Sequence, residues 1–131
     1  MSRPLAILYV DDDADVRTIA SMALALDPGI TVRAVASGAE ALALLDAEAW
    51  RPDAMLLDVM MPEMDGPTLL RALRARPELD PVPALFMTAR TRDADVARYL
   101  EEGAAGVIVK PFDPLGLAAE VRAVVDRATG R

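Results

Sequence analysis

Met55-Leu56-Leu57-Asp58-Val59-Met60-Met61-Pro62-Glu63-Met64-Asp65-Gly66 is an apolar run that meets one carboxylate and is broken four residues later by a proline. A strand buried on both faces is apolar at consecutive positions, the pattern of a parallel sheet rather than of a half-solvated antiparallel one. Such a strand delivers the side chain at its C-terminal end to the rim of the sheet, where open α/β folds hold their ligands. Asp58 thus stands at a candidate site. Polar residues at the ends of the other strands should converge on it.

The flanking chain repeats the same unit. Residues 5–10 are unbroken apolar and precede Asp11-Asp12-Asp13-Ala14-Asp15. From there Val16, Ile19, Ala20, Ala23 and Leu24 fall at helical spacing until Asp27-Pro28-Gly29 closes the helix. Residues 30–36 read as a second strand. It ends at Ser37-Gly38-Ala39-Glu40, a capping box for a helix running to about Trp50. Arg51-Pro52-Asp53 turns into the strand that carries Asp58. Pro67 suits the first turn of a third helix, over 68–76. Residues 84–87 form a short buried strand stopping at Thr88, and 93–102 form a polar helix capped by Gly103. Residues 105–109 are a fifth strand. Asp113-Pro114 offers an N-cap to a last helix whose stripe is Leu117, Val121, Val124 and Val125. Five strand–helix units predict one α/β domain over 1–131, with tails at 1–4 and from about 128 to 131. Its core is a doubly wound, five-stranded parallel sheet with helices on both faces.

A chain of 131 residues that is 53% hydrophobic suffices for one core. It has no cysteine and no histidine. Thiolate chemistry, a zinc–cysteine site and the commonest general base are therefore excluded, and a metal could be held only by oxygens, which favours Mg²⁺, Mn²⁺ or Ca²⁺. The formal charge of −7 argues against nucleic acid as a direct partner, because phosphate neutralisation needs a basic surface. No apolar run approaches the roughly 18 residues of a membrane span, and no signal-peptide pattern opens the chain, so a cytoplasmic location away from the membrane is expected. One oddity is more pointed. Of fourteen basic residues thirteen are arginine, and the only lysine is Lys110, in Val107-Ile108-Val109-Lys110-Pro111-Phe112. A compact ammonium on a flexible stem suits a function there that the rigid guanidinium fork does not.

In a parallel sheet the C-terminal strand ends are neighbours. They gather Asp11, Asp12 and Asp13 after the first strand, Asp58 after the third, Thr88 after the fourth and Lys110 after the fifth. Carboxylates crowded in one crevice repel each other unless a cation binds among them. With oxygen donors and one lysine, such a pocket supports phosphoryl transfer. Carboxylates hold Mg²⁺, the metal and Lys110 neutralise phosphoryl oxygens, a free carboxylate attacks phosphorus, and Thr88 bonds one phosphoryl oxygen. Taken singly, several residues read more blandly. Asp13 and Asp15 suit a helix N-terminus, Asp53, Asp65 and Gly66 suit turns, and Met60, Met61 and Met64 suit packing. Glu101 and Glu102 suit a solvated face, and Thr88 alone would be structural.

The set Asp11-Asp12, Asp58 within Leu-Leu-Asp-Val-Met-Met-Pro-Glu-Met-Asp-Gly, Thr88-Ala89 and Lys110-Pro111-Phe112 resembles the receiver domain of bacterial two-component response regulators. The likeness covers essentially the whole chain, with every motif in order. It implies a flavodoxin-like fold, strand order 2-1-3-4-5 with five helices, and a cis Lys110-Pro111 bond. It implies Asp58 as phosphoacceptor. Asp11, Asp12, Asp58 and the Met60 backbone carbonyl would be ligands of Mg²⁺, with Mn²⁺ as a substitute, and Thr88, Ala89 and Lys110 would surround the phosphoryl group. A signalling domain rather than an enzyme is implied, limited to its own phosphorylation and slow dephosphorylation. A histidine kinase or histidine phosphotransfer protein would supply the phosphoryl group. The face of the fourth helix, fifth strand and fifth helix would switch, and a homodimer could form through it.

Two departures bear on that picture. Receivers often carry Tyr or Phe three residues before the lysine, a ring that swings inward when the threonine moves; here the position is Val107, and Tyr99 on the fourth helix is no obvious substitute. The positions two beyond the phosphoacceptor and two beyond the threonine are Met60 and Arg90, whose side chains would hinder attacking water. With Pro111, these are the expected modulators.

Three other readings compete. Asp11-x-Asp13 after a strand also resembles the opening of haloacid dehalogenase-type phosphatases, with Asp11 as nucleophile, yet no second acidic cluster or cap insertion follows. Asp11, Asp13 and Asp15 match the first ligands of a calcium loop, which then fails at Val16 and Met22, where glycine and glutamate are required. A receiver fold could also serve as a binding module without phosphorylation; Val107 favours that and the intact pocket opposes it. The expected mode of action is docking on a protein, relay of phosphate to a second histidine protein, or service as part of a longer regulator.

Overall fold

A computed structural model describes residues 3–130. Within them the chain alternates β1 (Leu5–Val10), α1 (Ala14–Ala25), β2 (Ile30–Val35), α2 (Gly38–Ala47), β3 (Ala54–Asp58), α3 (Gly66–Arg74), β4 (Ala84–Thr88), α4 (Asp93–Glu101), β5 (Gly106–Val109) and α5 (Leu117–Thr129). All strand pairs are parallel, in the order β2-β1-β3-β4-β5. The order reverses direction at β1 and β3. The loops leaving these two central strands diverge to opposite faces and open a crevice at their C-terminal ends.

Alternation of side chains divides the interior into two layers. Leu5, Ile7 and Tyr9 of β1, Ala54 and Leu56 of β3, and Ile108 of β5 pack against Ala20 and Leu24 of α1 and Leu117, Val121 and Val125 of α5. The other face joins Leu8 and Val10 of β1, Met55 and Leu57 of β3, and Phe86 of β4 to Leu45 of α2, Leu69, Leu70 and Leu73 of α3 and Tyr99 of α4. β3 and β4 are buried at every residue, which is why their sequences show no alternation.

Local chemistry sets the boundaries. Ser37 Oγ accepts from the Glu40 amide at 3.1 Å while Glu40 reaches back to the Ala36 amide at 3.1 Å, so the capping box forms with its return bond displaced by one residue. α2 stops at Ala47, short of the expected Trp50, because the Arg51 guanidinium donates to the carbonyls of Leu45, Glu48 and Trp50 and closes the helix end. Asp113 is not the N-cap of α5. Its carboxylate accepts from the Leu115 amide at 3.0 Å and its carbonyl from the Gly116 amide at 3.0 Å, forming a turn ahead of the helix, which starts at Leu117.

The C-terminal tail expected from about 128 is helical through Thr129. Gly130 closes the helix in the left-handed conformation that glycine adopts without steric cost, at φ 74°. Residues 1, 2 and 131, within the expected tails, lie outside the described residues. Among the described residues no helix is long and apolar enough to cross a membrane.

Candidate functional site

The same alternation fixes the side from which each polar residue enters the crevice. Asp11 follows Tyr9, Asp58 follows Leu56 and Lys110 follows Ile108, all residues of the α1–α5 side. These three side chains meet. Lys110 Nζ donates to Asp58 Oδ1 at 3.0 Å and to Asp11 Oδ2 at 3.3 Å. Thr88 follows Phe86 on the opposite side, the one covered by α4, and approaches from there.

Asp11 is fully buried and already engaged. Its Oδ1 accepts from the Asp13 amide at 2.9 Å, its Oδ2 from the Tyr9 hydroxyl at 2.9 Å, and its carbonyl from Arg17 at 2.8 Å. Burial, then the adjacent Asp11 carboxylate, raises the Tyr9 phenol far above its ordinary range, so Tyr9 is a permanent neutral donor. Asp58 is 5% exposed. Burial pushes its carboxyl up to about 6; the Lys110 hydrogen bond opposes the rise and the charge of Asp11 adds to it. Burial alone would lower the Lys110 ammonium, but the Asp58 and Asp11 carboxylates overrule it and hold the group above its usual range.

Asp12 is exposed at the mouth. One carboxylate oxygen each from Asp11, Asp12 and Asp58 lie within 4.8 Å of one another. Three carboxylates that close, with one ammonium between two of them and no nitrogen or sulfur donor available, fit a hard divalent cation. Burial is the main reason Asp58 holds its proton, and the neighbouring Asp11 charge, which adds to it, favours a bound cation in the same way.

Thr88 is 3% exposed, and its Oγ1 accepts from the Arg90 amide at 2.9 Å. The cleft in front of these groups encloses about 360 Å³ and is lined by Asp12, Asp13, Asp58, Met60, Thr88, Ala89, Arg90 and Lys110. Neighbouring cavities of about 500 and 450 Å³ are larger but contain none of the acidic cluster, so the chemistry and not the volume marks the site. The Lys110-Pro111 bond is cis, as expected.

Other expected residues fall outside the cluster. Asp13 lines the cleft, yet its Oδ1 caps α1 through the amides of Asp15 at 2.9 Å and Val16 at 3.1 Å. Met60 is not a packing residue: its side chain is 63% exposed over the cleft, whereas Met61 and Met64 pack against the α2–α4 layer. Pro111 sits exposed at the rim, and Val107 is half-buried in that same layer.

A family model for the response regulator receiver domain matches residues 7–122. This chain belongs to that family. The receiver is 40% identical over 121 residues to the transcriptional regulatory protein CseB of Streptomyces coelicolor, covering 92% of this chain and 49% of that protein. It is equally similar to the DNA-binding response regulator MtrA of Mycobacterium leprae, at 40% over 121 residues, covering 92% of this chain and 51% of MtrA. The chain spans about half the length of the curated relatives it matches. Among solved structures, the chemotaxis response regulator CheY4 of Vibrio cholerae aligns with a TM-score of 0.82 at 34% identity, covering 92% of this chain and 98% of CheY4. The sheet order and five helices are those of the flavodoxin-like receiver fold.

Two residues of the receiver's site, and one core residue beside it, escaped sequence reading. Tyr9 was visible as the one hydroxyl in an apolar strand, two positions before Asp11 and hence on its face. Gly66, read as a turn former, lies against the backbone of Asp58. Tyr99 carried no sequence signal that separates it from an ordinary core aromatic.

Proposed function

We propose that the receiver accepts a phosphoryl group on Asp58 from a phosphohistidine of a histidine kinase or histidine phosphotransfer protein, in a Mg²⁺-dependent reaction. The observation that carries this reading is the pairing of Asp58 with the chain's only lysine at 3.0 Å, inside a cleft where two further carboxylates crowd the same point. An oxygen of Asp58 attacks phosphorus; the new O–P bond forms as the N–P bond breaks, and the electron pair returns to the imidazole nitrogen, which takes up a proton. Asp11, Asp12, Asp58 and the Met60 carbonyl would hold Mg²⁺, which when bound neutralises phosphoryl oxygens and displaces the proton from Asp58. Lys110 supplies the second positive charge. Thr88 would exchange its bond with the Arg90 amide for one to a phosphoryl oxygen, with Ala89 moving alongside.

The histidine lies outside these 131 residues, which contain none. Exposed Ile19 and Met22 of α1, Leu26 at its C-cap and Leu115 before α5 form an apolar patch next to the Lys110 loop, a footing for the donor protein. Leu100 of α4 and Val109 of β5 are exposed on the α4-β5-α5 face, which would switch on phosphorylation and could pair two copies.

The test is incubation with Mg²⁺ and acetyl phosphate, followed by mapping of the acyl phosphate. One phosphoryl group per chain, located at Asp58, is expected. Multiple turnover dependent on Asp11 would indicate the phosphatase instead, which the burial and full engagement of Asp11 disfavour. No label in the presence of bound Mg²⁺ would leave the phosphorylation-independent module.

Met60 and Arg90 line the mouth of the cleft, and both are exposed. A shorter amide at 60 and a carboxylate at 90 would admit and orient water. The acyl phosphate of a Met60→Asn, Arg90→Glu variant should hydrolyse faster, on the order of tenfold. An unchanged or slower decay rate would remove both residues from the modulators.

A further inference from the structure

Tyr99 is fully buried, and among the described residues its hydroxyl has no hydrogen-bond partner. Buried polar atoms in folded proteins are nearly always satisfied, and the orphaned Tyr99 hydroxyl, with Asp95 Oδ2 of α4 and Glu102 Oε2 at its C-cap likewise without hydrogen-bond partners, suits a helix whose partners belong to another state. Its surroundings say which event brings that state about. The Tyr99 ring meets the Phe86 ring edge-on, centroids 5.4 Å apart and planes at 78°. Phe86 lies two residues before Thr88 on β4, so the two side chains share the face that α4 covers. Phe86 is also in register with Val107 of β5.

On its other side Tyr99 lines the cavity of about 500 Å³ between the β3–α3 loop and α4. Met60 and Arg90 line both that cavity and the cleft of Asp58. The Arg98 guanidinium covers the Tyr99 ring at 5.4 Å. A shift of Thr88 and of the Arg90 amide bonded to it therefore acts on Tyr99 from two directions, through Phe86 below and through the cavity wall beside it.

Resting on the assignment of Asp58 as phosphoacceptor, we infer that Tyr99 is the residue through which phosphorylation reaches α4: its ring turns with Phe86, and its hydroxyl leaves burial for the water-accessible cavity between α4 and the β3–α3 loop. In the resting state the unpartnered hydroxyl disfavours the inward ring, and the contact with Phe86 holds it there. Phosphorylation tips that balance. α4 loosens as the ring leaves, which changes the face that carries Leu100.

The chain has two tyrosines, so ring-fluorinated tyrosine gives two fluorine NMR signals, and Tyr99→Phe assigns the one from Tyr99. On phosphorylation with acetyl phosphate and Mg²⁺, with stoichiometry read by mass on the same sample, the Tyr99 signal should move and gain a shift between H₂O and D₂O. Amide exchange over α4 should quicken by about tenfold. Tyr99→Phe should be labelled as fully as the unmodified protein and be at least as stable, yet its α4 exchange should respond by less than about threefold. Phe86→Leu, which keeps the labelling groups intact, should shrink the Tyr99 shift by more than half. A fully phosphorylated sample with an unmoved Tyr99 signal, or a Tyr99→Phe variant with the full α4 response, would overturn the role of Tyr99. Failure to gain a phosphoryl group at all would instead overturn the phosphoacceptor assignment, and this inference with it.

Discussion

Asp58→Asn is expected to abolish the acyl phosphate and, without metal, to make the fold more stable at neutral pH. The first effect follows from the loss of the nucleophile. The second follows from where the carboxyl sits. Its pKa is pushed up to about 6 by burial, with the Asp11 charge adding and Lys110 only partly offsetting.

The sign follows from linkage. A carboxyl that binds its proton more tightly in the folded than in the unfolded chain contributes stability that is fully present below the unfolded value, 3.8, and is lost as pH rises through about 6. Above that point the native chain carries a charge it would rather not bury, a penalty on the order of 2–3 kcal/mol. An amide of the same shape still accepts from Lys110 and carries no charge. Urea unfolding in chelator at pH 7.5 should therefore show Asp58→Asn more stable by roughly 1–3 kcal/mol. The advantage should shrink towards zero as pH falls to about 4, and saturating Mg²⁺ should reverse it, because the metal stabilises the wild-type carboxylate cluster by mass action. Equal stabilities at pH 7.5 in chelator would show that Lys110 already compensates the buried charge.

How far such a site could be read from sequence depended on whether local rules or tertiary contacts decide each feature. The strands were legible because burial on both faces makes β3 and β4 apolar at every position before their last, and the strand-end residues Asp11, Asp58, Thr88 and Lys110 were legible because a parallel sheet brings its C-terminal ends together. Caps set by neighbours in sequence also held, as at Ser37 and Gly103.

Features decided across the fold did not show. Arg51 ends α2 by reaching back to three carbonyls, and no helix-stop rule sees that. Met60 reads as core by composition, and only the likeness to receivers set it at the pocket; it stands exposed over the cleft because the chain has already left β3. Tyr99 looks like any buried aromatic until its unsatisfied hydroxyl and the ring beside it are both known.

Gly66 is the clearest such case, and it yields the other large expectation. The glycine opens α3 after Asp65, whose carboxylate accepts from the Thr68 amide at 2.8 Å, so a turn residue accounts for its presence in sequence terms. The fold asks more of it. The Gly66 amide donates to the Val59 carbonyl at 2.9 Å, which draws the start of α3 directly onto the end of β3. A Cβ at this position would lie 2.6 Å from the Asp58 carbonyl oxygen and 3.0 Å from Val59 Cα. Both are backbone atoms, so no side chain can rotate away; either α3 lifts off the sheet or the end of β3 moves. Gly66→Ala should thus lower stability by about 2–4 kcal/mol, at the high end for a single added methyl. It should also slow labelling by acetyl phosphate on the order of tenfold, since displacing Asp58 by a fraction of an ångström spoils its alignment with Lys110 and the other carboxylates. At Gly38 a Cβ would instead approach the Met64 side chain, Sδ at 2.6 Å, and a flexible thioether can yield. Gly38→Ala is the control that separates the two effects: it should cost less stability and leave the labelling rate near wild type. Equal labelling rates in the two variants would mean that the β3–α3 junction tolerates movement without disturbing Asp58.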